Sequence, residues 1–111
     1  GRTWQRLQKP IIASQAGAPS ARDPKVIWHA PSRQWLLALF TREGSGDGYF
    51  NLYASDDLRQ WRKLQELHLQ GSGGECPDIF ELPVEGGAAG AARFVFLAAS
   101  GAYVVGQFDG S

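Results

Sequence analysis

Two short runs hold the residues of this chain that could do chemistry: Arg22-Asp23-Pro24-Lys25-Val26-Ile27-Trp28 and Glu75-Cys76-Pro77-Asp78-Ile79-Phe80-Glu81. Laid over one another they share a form: a polar pair, a proline, a polar residue, then apolar residues. Asp23 falls on Cys76 and Pro24 on Pro77, at a constant offset of 53 residues. A sheet tolerates proline at the first residue of a strand, which need not donate to the ladder. The pattern therefore predicts a polar pair just ahead of a buried strand, outside the apolar layer, where a carboxylate can meet a ligand. Arg22 lies beside Asp23, and a guanidinium favours the charged form of a carboxylate. Glu75 follows Gly71-Ser72-Gly73-Gly74, so its backbone can approach a ligand closely. Two plainer readings compete: an Asp-Pro turn beside a surface arginine, and a solvated loop carboxylate at Glu75.

Other chemistries are poorly served. His29 and His68 stand at no motif spacing from Cys76, so no cysteine-based triad can be named. One Cys and two separated His make a poor zinc set. No metal or cofactor is expected, and a single Cys excludes an internal disulfide. Asp78 reads as a turn cap. Trp28, Trp35, Tyr49 and Trp61 read as packing residues rather than ligand platforms.

The elements that must position the two carboxylates are strands. With 14 Gly, four Trp and 12% aromatic residues, the chain has many turns between short aromatic-rich segments, an all-β signature. Strands are predicted at Trp4 to Leu7 with Trp4 and Leu7 buried, then at Val26 to Trp28. Gln34 to Thr41 follows, apolar on both faces as a covered central strand is. Tyr49 to Ala54 places Phe50, Leu52 and Ala54 on one face. Trp61 to Leu64, Ile79 to Leu82, Phe94 to Ala99 and Ala102 to Phe108 complete the set. Pro10 to Pro19, Glu43 to Gly48, Gly71 to Gly74 and Glu85 to Ala92 read as loops. Trp4-Gln5-Arg6-Leu7-Gln8 is repeated in form by Trp61-Arg62-Lys63-Leu64-Gln65, at an offset of 57. Four-stranded units recurring at about 40 to 50 residues are propeller blades. The chain thus reads as two consecutive four-stranded blades, about 1–60 and 61–111.

Composition narrows the partners. Eleven Lys plus Arg balance eleven Asp plus Glu, which leaves no electrostatic case for nucleic acid or an anionic membrane. No apolar run approaches the roughly 20 residues of a membrane span. The chain begins with Gly and has no signal-peptide pattern, so an upstream segment is expected; its compartment is not legible.

Arg22-Asp23-Pro24-Lys25-Val26, Tyr53 through Trp61, Glu75 through Pro83 and Val105 through Gly110 together resemble glycoside hydrolase family 32, the invertases, levanases and inulinases. Gly1-Arg2-Thr3-Trp4 is similar to the turn closing that family's first blade. The likeness runs nearly the whole chain. It implies a five-bladed propeller followed by a β-sandwich, and cleavage of β-fructofuranosidic bonds by a retaining mechanism. It implies Glu75 as acid/base, Asp23 as the stabiliser that holds fructosyl hydroxyls, and Arg22 as a substrate-binding residue. The family's nucleophile belongs to an Asn-Asp-Pro-Asn motif of the first blade, which this sequence lacks. The resemblance therefore implies two blades of an enzyme, without the catalytic first blade or the sandwich, inactive alone. The expected partners are a fructoside substrate and either copies of the chain or the remaining blades. Two other readings stand beside it: a non-catalytic sugar-binding or self-assembling piece, and a related hydrolase of arabinosides or other furanosides.

Overall fold

The computed structural model describes residues 1–13, 20–69 and 74–110. Among them are seven strands in chain order: β1 (Ser20–His29), β2 (Gln34–Arg42), β3 (Tyr49–Ser55), β4 (Arg62–Leu67), β5 (Asp78–Pro83), β6 (Ala92–Leu97) and β7 (Tyr103–Gly106). They form two antiparallel meanders, a four-stranded sheet in the order β1-β2-β3-β4 and a three-stranded sheet in the order β5-β6-β7. Two such meanders packed face to face are consecutive propeller blades.

Period-two alternation builds the layer between the sheets. Leu36, Ala38 and Phe40 of β2 and Phe50, Leu52 and Ala54 of β3 share one face, and they pack with Ile79 and Phe96 of the second sheet and with Ala98 just beyond β6. Phe40, Phe50, Leu36 and Ile79 are fully buried, each worth about 1.5–3 kcal/mol in apolar burial. The opposite face of β2 is also covered, since Leu37 and Thr41 are buried. This is the central strand that its sequence describes.

Pairing corrects four expectations. Pro24 does not precede a strand. β1 begins at Ser20, and its register against β2 shifts between Arg22, opposite Phe40, and Lys25, opposite Ala38. Asp23 and Pro24 are thus the residues of a β-bulge on an edge strand, the other place where a ladder dispenses with a donor. Pro77 does stand just ahead of β5. Residues 1–13 form no strand and Trp4 is 93% exposed, with Leu7 also exposed; a strand needs a partner edge, and none of β1–β7 pairs with this segment. The strand after Trp61, placed by its sequence at the head of the second blade, is hydrogen-bonded to β3 and closes the first sheet. The sheet boundary accordingly falls after Leu67 rather than near residue 60. Trp28 is half exposed and meets Trp35 edge to face at the sheet surface, 5.2 Å between centroids, rather than in the core. The loops expected at 14–19 and 71–73 lie outside the described residues.

Candidate active site

The two sheets adjoin along β1 and β5, and the two motifs meet there. Asp23 and Cys76, the residues aligned by the 53-residue offset, both take left-handed backbone, with φ of 57° and 51°. Non-glycine residues seldom adopt this conformation, and it concentrates at functional sites. The bulge turns Asp23 toward the second sheet, where its Oδ2 accepts the Cys76 N–H at 3.3 Å. The backbone of Glu75 is pinned from below, its carbonyl accepting the Ala99 N–H at 2.9 Å. Gly74 is required beside it, because a Cβ there would stand 2.6 Å from the Ser100 hydroxyl oxygen.

Arg22 binds the Glu75 carboxylate through Nη2 to Oε1, and its Nε lies 3.9 Å from Asp23 Oδ2. Arg42 stands 3.8 Å from the same Glu75 oxygen. All four side chains are about a third exposed, open to a ligand yet partly fixed. The hydrogen bond from Arg22, with the charges of Arg22 and Arg42, holds the Glu75 carboxyl below its ordinary range, against a smaller opposing effect of desolvation. Arg22 is raised in return, first by that hydrogen bond. Partial desolvation and the Asp23 carboxylate keep the Cys76 thiol above its usual range, the wrong direction for a nucleophile. Lys25 Nζ meets Asp78 Oδ1 at 2.8 Å and ties β1 to β5, so Asp78 makes an ion pair between sheets where its sequence reads as a turn cap.

All three residues singled out from the sequence, Arg22, Asp23 and Glu75, are therefore brought together, and the two carboxylates lie at the same edge of neighbouring sheets. Arg42 and Lys25 were missed as members of this cluster. Arg42 was findable in principle, since it lies two residues beyond Phe40 and so shares its face. A further inter-sheet contact lies away from the cluster. His29 is buried, its Nδ1 2.7 Å from Ser32 Oγ and its Nε2 3.7 Å from Glu81 Oε1, between the edges of Phe94 and Phe108. Tyr49 lies over His68, and its hydroxyl donates to Glu43 at 2.8 Å.

Paired blades with a carboxylate and guanidinium cluster at one edge define a propeller-type fold with a polar cluster where the two sheets adjoin. The model of the glycosyl hydrolases family 32 N-terminal domain matches residues 1–110, and the chain belongs to that family. Among curated relatives it is 39% identical over 90 residues to a levanase of Bacillus subtilis (strain 168), an alignment covering 78% of this chain and 13% of that protein. It is 37% identical over 89 residues to invertase 2 of Saccharomyces cerevisiae, covering 77% and 16%. Among solved structures, a fructofuranosidase from Schwanniomyces occidentalis complexed with fructose superposes with a TM-score of 0.70 at 27% identity, covering 95% of this chain and 22% of that one. The chain thus spans between an eighth and a quarter of the length of these relatives.

Proposed function

We propose that the chain supplies the acid/base group and the sugar-binding aspartate of a glycosidase that cleaves β-fructofuranosidic bonds, of the sucrose, inulin or levan type, with retention. Glu75 protonates the leaving oxygen and later activates water. Asp23 accepts fructosyl hydroxyls and stabilises the charge that develops on the ring. Arg22 holds both carboxylates and contributes to the sugar subsite. The observation that carries this reading is the meeting of Arg-Asp-Pro and Glu-Cys-Pro, 53 residues apart in sequence, in one ion-paired cluster. The names of the relatives favour fructosides over arabinosides.

Retention needs a second carboxyl group, the nucleophile, roughly 5 Å from the acid/base. No Asn-Asp-Pro-Asn motif occurs in these 111 residues, so the nucleophile would come from another segment. The protonation of Glu75 has the same dependence. An acid must carry its proton near neutral pH, whereas Arg22 favours the charged form here. A nucleophile carboxylate at close range pushes in the opposite direction, so the working value belongs to the assembled pair. The purified chain is expected to hydrolyse neither sucrose nor inulin, because catalytic groups that act as a unit fail together. Turnover by the chain alone, abolished by Glu75→Gln, would overturn the assignment of the nucleophile to another segment.

A second reading, a self-associating piece, has its own support. Tyr103, Val104 and Val105 of β7 are exposed on an edge strand, above a cavity of about 190 Å³ lined by Leu52, Leu67, Phe94, Phe96 and Phe108. Open edges and uncovered apolar faces invite pairing. Sedimentation equilibrium in dilute solution is expected to give a mass above that of the monomer; a stable monomer would exclude this reading.

A further inference from the structure

We propose that Arg42 is a second positioning residue for Glu75, acting beside Arg22 across a shared aromatic brace. The role rests on the reading of Glu75 as the acid/base group. Arg42 is the last residue of β2. Strand periodicity puts it on the face of Phe40, two residues earlier, and Arg22 is the cross-strand partner of Phe40 on that same face. The Arg22 and Arg42 guanidinium carbons lie 4.6 and 5.5 Å from the centroid of the Phe40 ring, within reach of the ring quadrupole. That ring cannot move aside. It is fully buried, with Phe50 against it at 5.5 Å and Gly48 at its edge. Both guanidiniums address Oε1 of Glu75, so the carboxyl group is oriented from one side. Arg42 Nε is buried with no hydrogen-bond partner among the described residues. A guanidinium carries five donors; the Phe40 ring and the Glu75 carboxylate are the two Arg42 contacts on which the role rests. Arg22 also serves Asp23, and Arg42 is the group that can hold Glu75 when Arg22 turns to a sugar.

The test is a pH titration of the Glu75 side-chain carboxyl carbon by NMR, on the isotopically labelled chain without sugar. Arg42→Gln is expected to raise the Glu75 midpoint, by less than Arg22→Gln does, because the Arg42 contact is the longer. Arg42→Lys is expected to restore most of the shift, which a role in packing alone would not do. An unchanged midpoint in Arg42→Gln, or the same rise in Arg42→Lys as in Arg42→Gln, overturns the proposal. The unaltered chain provides a readout independent of how any variant folds. The Arg42 Nη resonances should move with the Glu75 midpoint, and their failure to do so also overturns it. No turnover is needed, so a failure here leaves the fructoside reading intact. Loss of the fructoside reading would leave the measured coupling standing.

Discussion

Gly48→Ala is expected to destabilise the fold and to disturb the site through Phe40. A Cβ at this position would lie 2.1 Å from Cε2 and 2.2 Å from Cζ of Phe40, more than 1 Å inside ordinary contact. The atoms it meets belong to a rigid ring, not to the end of a flexible side chain. Phe40 has no exposed surface through which to yield, and Phe50 stands behind it. Inserting one carbon into a packed core costs about 1–3 kcal/mol, a large share of the roughly 5–15 kcal/mol that holds a domain together. Urea unfolding followed by tryptophan fluorescence reads this as a fall in the midpoint at constant slope. Shortening the ring relieves the clash, so Phe40→Leu with Gly48→Ala should cost less than the sum of the two single changes. Because Phe40 braces Arg22 and Arg42, the Glu75 carboxyl resonance should shift in Gly48→Ala as well. A variant within about 0.5 kcal/mol of the parent, the ordinary scatter of harmless substitutions, would refute the packing argument.

One ion pair and one phenol–carboxylate hydrogen bond make stability depend on pH. Glu75 has its pKa lowered by Arg22 in the folded chain, so the pair stabilises above the unfolded Glu value of about 4.3 and that contribution is lost as pH falls through the folded value. Arg22→Gln should therefore flatten the loss of stability on acidification; parallel urea midpoints for parent and variant from pH 7 downward would contradict the ion pair. Tyr49 is pushed up to about 12, first by its hydrogen bond to Glu43 and then by desolvation. Its contribution is complete below the unfolded tyrosine value of about 10 and fades as pH rises toward about 12. Ultraviolet titration of Glu43→Gln should move the Tyr49 phenol back toward its ordinary value, and an unmoved phenol would mean that Glu43 is not the cause.

The sequence was most informative where the deciding interactions are local. Phe50, Leu52 and Ala54 alternate into the core because successive strand residues point to opposite faces, and that pattern is written in adjacent letters. The meeting of Arg22, Asp23 and Glu75 in one cluster follows from two compact motifs, and the 53-residue offset reappears as matching left-handed backbone at Asp23 and Cys76. What escaped depends on pairing between distant segments. Pro24 lies within β1 because the register against β2 slips at that point, a property of two strands rather than one. The strand after Trp61 has the composition to open a blade, but hydrogen bonding to β3 makes it close one. Trp4 reads as a core residue by type, yet without a partner strand it stays exposed. The pull of two arginines on the Glu75 carboxyl is likewise a product of distant pairing. Arg42 reaches it from the far end of β2, across the sheets, and nothing in the sequence around Glu75 announces that contact.

The most direct test of the central claim is a transplant. These 111 residues replace the segment with which they align in the Bacillus subtilis levanase, and levan hydrolysis is measured for the chimera and for its Glu75→Gln form. A folded, active chimera is expected, with activity falling by about 10²- to 10⁴-fold in Glu75→Gln, the usual contribution of a general acid/base. A folded chimera that is inactive, or one whose activity survives Glu75→Gln unchanged, would contradict the claim.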